Sequence, residues 1–273
     1  MGKIILTENQ LTDLIKDVVG KFTDKGKLPD MGIEDILSKA TSGTKDELKN
    51  LLKKTGDYTG MKFKDFEKRT KFGKVKLVGN FTGEQKSNIK LLIDTMNRNG
   101  ITDPYAQIGI LSVIGKESSF LPKSEIDYSN TSNSRIRNTF GDRVPKEDSK
   151  LNTLKSNPKR FFDRVYGNML GNGPDEGYKY RGRGFNQLTF KGNYRKYGSM
   201  AGVGIVGNPD LLNQPSVAAK VALAFFTKGK PASSFPDFDS KKNAAIYFAD
   251  LNAGGSSSFR QKAIDYTDKF DVI

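Results

Sequence analysis

The sequence predicts a mainly helical protein: a larger helical domain with long loops, preceded by a small helical appendage at residues 1–80. Three observations point there. Helix-start and helix-stop signals recur along most of the chain. The stretch that reads as a strand is short, "FGKVKLVG", with Val75 and Leu77 alternating. The segments 121–160 and 167–184 look long and irregular, yet they lie between well-marked helices.

In chain order, residues 7–22 open on a capping box of Thr7 and Gln10, and Leu11, Leu14, Ile15, Val18, Val19 and Phe22 keep the helical period. After the turn-rich "TDKGKLPDMG", a second box, Thr44 and Glu47, starts a helix with Leu48, Leu51 and Leu52 that stops near Gly56. The texture changes near Asn80, and "TGEQKSNIKLLIDTMNRNG" predicts a helix ending at Gly100. The next helix has Asp103 as N-cap and Pro104 at its first position, and Pro122 ends it within a few residues. Further helices are expected in "PSVAAKVALAFFTKG" and "SKKNAAIYFADLN".

Composition narrows the chemistry. With 273 residues, 36% of them apolar, and ten Tyr and eighteen Phe, the chain can bury a sizeable core. No apolar run approaches the ~18–20 residues of a membrane span. "MGKIILTENQ" lacks the apolar core of a secretion signal, and Leu6 breaks the Gly2 myristoylation pattern, so synthesis in a cytoplasm is expected. The absence of Cys excludes disulfides, thiol nucleophiles and ordinary zinc sites, and the absence of His excludes Ser-His-Asp hydrolysis. Carboxylates become the leading acid/base candidates, with no metal and no cofactor expected. The net charge of +14 calls for a polyanionic partner. It is spread, 17 − 12 = +5 up to residue 80 and 28 − 19 = +9 beyond, so no basic arm marks a nucleic-acid binder.

Ile110, Val113, Ile114 and Glu117 fall at i, i+3, i+4 and i+7, which places a carboxyl on an apolar stripe in the last helical turn. Both settings oppose its charge, as a general acid requires; a frayed helix end would instead leave it in water. Eight residues on, Glu125 stands in the loop "PKSEIDYSN" as a candidate second carboxylate or an ordinary loop charge. In "GYKYRGRGFNQLT" position 187 is Gln, so no dinucleotide fingerprint is present. Gly182 and Gly184 permit a tight backbone path. Tyr178, Tyr180 and Phe185 offer faces for sugar rings, although Tyr178 and Phe185 serve equally well as core. Asn186, Gln187 and Thr189 offer hydrogen bonds to hydroxyls and water.

In this order, "GKESSF", "SEIDYSN", "VYGNMLGNGPDEGYKYRGRGFNQLTFKGNYRKYG", "GNPDLL", "VALAFF" and "LNAGG" resemble glycoside hydrolase family 19, the chitinases and bacteriophage endolysins of lysozyme-like fold. The resemblance covers residues 81–273 and leaves 1–80 unassigned. It implies an inverting, metal-free mechanism with Glu117 as general acid, Glu125 as general base and Thr189 helping to hold the attacking water. It also implies substrate contacts at Gln187, Asn193, Tyr194 and Asn252, to which the sugar-binding loop adds Tyr180 and Arg183. Two departures stand out: the residue before the acid is Lys116 where the family more often has His, and "LNAGG" carries an extra Ala253.

The expected protein is therefore a peptidoglycan-degrading endolysin or virion-associated lysin that cuts β-1,4 glycosidic bonds. It would be made in the host cytoplasm and act on the cell wall, with residues 1–80 contacting wall or virion. A chitinase acting on chitin oligomers and a catalytically silent virion or wall-binding module are the alternatives.

Overall fold

A computed structural model describes residues 74–273. The helices expected at 7–22 and 44–55 lie outside these residues. The described part is mainly helical, as expected, with nine α-helices and one two-stranded sheet among its residues.

Strand β1 (Val75–Leu77) pairs antiparallel with β2 (Phe270–Val272), Val75 opposite Val272 and Leu77 opposite Phe270. The sequence boundary at residue 80 thus leaves 75–77 tied to the far end of the larger domain. Helix α1 (Gly83–Arg98) opens on a capping box: Thr82 Oγ1 accepts from the Gln85 N–H at 3.2 Å, and Gln85 Oε1 accepts from the Thr82 N–H at 2.9 Å. It ends before Gly100, whose φ of +75° suits glycine.

Helix α2 (Pro104–Ser118) starts where Asp103 caps the Tyr105 N–H at 2.8 Å and Pro104 takes the first position. It is not amphipathic. Residues 106–115 are buried without a break, so the helix runs through the centre of the main core. The stripe from Ile110 to Glu117 is therefore no distinguishing cue; what frees Glu117 is its place in the final turn. Against α2 pack α8 (Lys241–Ala253) and α9 (Ser257–Thr267), while α7 (Pro215–Thr227) completes the core against α1. Glycines let α8 and α9 approach: a Cβ on Gly109 would lie 2.8 Å from the Ala244 backbone, and one on Gly115 would lie 2.5 Å from the Tyr266 ring.

The segment expected to be irregular at 121–160 is so only at its start. It contains α3 (Asn133–Phe140) and α4 (Asp148–Lys155), and α5 (Pro158–Tyr166) follows. These short, polar helices close over a second core of Ile136, Phe140, Leu151, Phe161, Phe162 and Val165. Residues 167–184 form no helix, as expected, and the irregular stretch runs on to 190. Helix α6 (Lys191–Met200) follows and, with α7, encloses a third core around Tyr180, Tyr194 and Leu212.

Candidate active site

Glu117 ends α2 with its side chain 17% exposed. Its Oε1 accepts from Lys116 Nζ at 3.2 Å and from Asn252 Nδ2 at 3.1 Å. Asn252 is 135 residues away in sequence, so the "LNAGG" motif, with its extra Ala253, brings an amide to Glu117. The turn after Glu117 is held unusually. Ser119 and Phe120 adopt left-handed φ values of 51° and 61°, which non-glycine residues rarely do. Helix α1 secures both: Gln85 Nε2 donates to Ser119 O at 3.0 Å and Asn88 Nδ2 to Phe120 O at 2.8 Å. The buried bond to Phe120 O and the exposed one to Ser119 O keep the strained turn in place.

Glu125 is half-buried in the loop that follows. Three donors hold its carboxyl: the Tyr128 hydroxyl at 2.7 Å and the Tyr166 hydroxyl at 3.1 Å, both on Oε1, and the Gly182 N–H at 3.1 Å on Oε2. The Glu125 N–H in turn donates to Gly182 O at 2.7 Å. A Cβ at position 182 would sit 3.2 Å from Oε2, which explains the glycine. Burial, and then the negative charge of Glu125, push both tyrosine hydroxyls well above their ordinary range. Both remain neutral donors. With Oε1 occupied twice, Oε2 keeps a lone pair for water.

The loop 177–190 floors the region. Arg183 and Leu188 exchange two backbone hydrogen bonds, 3.1 and 2.8 Å, around a turn in which Gly184 and Gln187 have φ of +78° and +49°. Gln187 Nε2 clamps this turn to the loop before Glu125 by donating to Lys123 O at 2.9 Å and to Gly184 O at 3.1 Å. The Thr189 hydroxyl donates to Gln187 O at 3.0 Å, and Asn193 Nδ2 donates to Thr189 O at 2.8 Å.

Three expected substrate contacts are corrected. Tyr180, Arg183 and Tyr194 are 1%, 3% and 0% exposed, so none presents a face to a sugar. Tyr194 donates to Arg181 O at 2.7 Å and Tyr180 to Val206 O at 3.1 Å. Arg183 pairs with Asp210 at 2.9 Å and also donates to Tyr194 and to the Lys179 carbonyl. They are the frame on which Gly182 and Thr189 are mounted. Phe185 is likewise core. Tyr128 and Tyr166 went unnamed from sequence although both lie inside the quoted motifs; a hydroxyl three residues after Glu125 was the available signal.

The structure thus brings Glu117 to Asn252, Glu125 to Gly182, and Gln187 to the Lys123 carbonyl, while the two carboxyls share no hydrogen-bond partner among the described residues. Also among these residues, no three acidic side chains gather as metal ligands, and no helix is long and apolar enough to cross a membrane.

Residues 166–240 match the family model for glycoside hydrolase family 19, described as chitinase class I. A glycosyl hydrolase family 19 domain-containing protein of Haemophilus influenzae is 42% identical over 62 residues, which cover 20% of this chain and 31% of that protein. The chain therefore spans under a third of the length of this curated relative. Among solved structures, chitinase C from Streptomyces griseus is 17% identical, covering 69% of each chain at a TM-score of 0.39. A bacterial family 19 chitinase is 21% identical, covering 67% of this chain and 84% of its own at 0.37. Residues 166–240 thus resemble glycoside hydrolase family 19, in keeping with the motifs read from the sequence. The matched residues include Tyr166, Gly182, Gln187, Thr189 and Asn193, while Glu117, Glu125 and Asn252 lie outside them.

Proposed function

We propose that the protein hydrolyses β-1,4 glycosidic bonds of peptidoglycan by inversion, as an endolysin or virion-associated lysin. The observation that carries the mechanism is the contrast in how the two carboxyls are held. Both donors to Glu117 sit on Oε1, so Oε2 is the oxygen that bears the proton and gives it to the leaving oxygen. At Glu125, Oε2 keeps one lone pair for a water. Thr189, its own proton committed to Gln187 O, accepts that water's second hydrogen. The water then attacks the anomeric carbon as Glu125 takes its proton, and the glycosidic bond breaks as Glu117 releases its own. Gln187 and Asn193 brace Thr189 here, and direct contact with sugar hydroxyls is proposed for their outward-facing atoms.

The net charge of +14 supports an acidic wall polymer over neutral chitin. Mass spectrometry of products from purified sacculi, with chitin oligomers alongside, tests the substrate. Muropeptides cut at a sugar–sugar bond are expected, and turnover of chitin alone would reassign the substrate. The chitinase reading has its own support in the chitinase class I match. NMR of the first-formed anomer tests the mechanism, because retention would require a covalent intermediate. Residues 1–80 are proposed to contact wall or virion. Since 75–77 pair with 270–272, the fragment expected to retain hydrolysis starts at residue 74.

A further inference from the structure

Lys116 stands directly before the acid, and its ammonium is enclosed on two sides. One side is Glu117 Oε1 at 3.2 Å; the other is the face of the Phe259 ring, 3.8 Å from its centroid. Phe259 belongs to α9 and is itself buried, so the ring is a fixed wall. The Lys116 side chain is 25% exposed, which leaves it little freedom to swing into solvent.

The other groups near this end of α2 do not duplicate its charge. From α8 comes Asn252, which is neutral, flanked by Asp250. From α9 come Phe259, followed by Arg260, and Tyr266, which packs on Gly115. Asp250 and Arg260 are committed to each other through two hydrogen bonds, one of them 2.8 Å from Nη2 to Oδ2. Tyr266 has the Lys269 ammonium over its ring at 4.7 Å. Among the described residues, Lys116 is the cation that contacts the Glu117 carboxyl.

We infer that Lys116 is a positioning residue for the acid: held between Phe259 and Glu117, it fixes Oε1 as the unprotonated oxygen and stabilises the carboxylate left after the proton departs. This rests on Glu117 being the general acid. During proton transfer the O–H bond at Oε2 breaks, the leaving oxygen gains the proton, and negative charge spreads onto Oε1, where the ammonium already lies. A neutral group in its place would hold the proton more tightly and release it more slowly. Asn252 contributes orientation to the same oxygen without charge.

The test uses the full chain labelled with carboxyl-13C glutamate, the Glu117 signal being assigned by its loss in Glu117→Gln. In Lys116→Met the Glu117 carboxyl signal is expected to move, because the ammonium no longer contacts Oε1. Lys116→Arg, which keeps the charge, is expected to return it. This readout needs no turnover, so it stands apart from the functional reading. An unmoved signal in a folded Lys116→Met protein overturns the inference. With turnover measured in parallel, kcat should fall about tenfold in Lys116→Met with KM little changed, and recover in Lys116→Arg. A signal that moves while kcat stays put would leave Lys116 beside Glu117 but overturn its part in proton transfer.

Discussion

The two carboxyls are held by opposite strategies. Glu117 ends the most deeply buried helix and is contacted by two donors on one oxygen, one from its own helix and one from α8. Glu125 sits on a loop and is gripped by three donors on both oxygens, from its own loop, from α5 and from the glycine-rich turn. This contrast is what the proposed roles require: an acid that releases a proton keeps one oxygen open, and a base that orients a water is tied from several directions. Rigidity comes from the main core in the first case and from the second core in the other, since Tyr128 and Tyr166 pack on Phe161 and Phe162.

Amide substitution breaks this symmetry most sharply. Glu117→Gln is expected to cut turnover by ~10³-fold or more, within the range of general acid catalysis. Its melting temperature should hardly change, because a glutamine oxygen still accepts from Lys116 and Asn252. Glu125→Gln should lose turnover too, yet it should also destabilise by roughly 1–3 kcal/mol, since one NH2 must face donors that previously met a carboxylate. Equal melting temperatures for the two variants would erase the distinction drawn here.

The tyrosines sharpen it next. Tyr128→Phe and Tyr166→Phe each remove one donor from Glu125 Oε1 and should lower kcat about tenfold apiece, with KM little changed. Thr189→Ala should fall in the same range, since Glu125 still holds the water from one side. Undiminished kcat in the double Tyr variant would show that Gly182 alone orients the carboxyl.

Tyr194→Phe probes the frame. Losing the bond to Arg181 O and the acceptor for Arg183 should cost about 1 kcal/mol of stability, read by thermal melting, and leave KM unmoved. A raised KM at unchanged stability would restore Tyr194 as a substrate contact.

The smallest effect concerns acid stability. The Lys191 ammonium, followed by the Gly173 N–H, holds the half-buried Glu176 carboxyl below its ordinary 4.5. Its contribution is therefore full above that value and is lost as pH falls below it. Melting curves of the native protein and Glu176→Gln should differ slightly at neutral pH and converge on acidification.

Legibility from sequence followed the range of the interactions. Asp103 and Pro104 announced α2 because capping is local, and Glu117, Glu125 and Thr189 were nameable through motif. The helices α3, α4 and α5, eight or nine residues each, were missed. Their polar stretches become helical only by closing over Phe140 and Phe161, a tertiary effect. Tyr180, Arg183 and Tyr194 misled because a motif records what builds a loop as firmly as what touches a ligand. That Asn252 reaches Glu117 could be read only once α8 lay against α2.

That last approach depends on something missing. Gly109 has no methyl, and α8 fills the space, with the Ala244 backbone 2.8 Å from where the methyl would be. Ala244 and Asn252 are eight residues apart on α8, about 12 Å of helix. The contact at Gly109 thus works as the fulcrum of a lever whose far tip is an amide resting on the acid. A displacement of a few tenths of an ångström at the fulcrum tilts the tip. Across related chains the setting of Glu117 could be retuned by altering an inert position well removed from it, with no group at the candidate site changed.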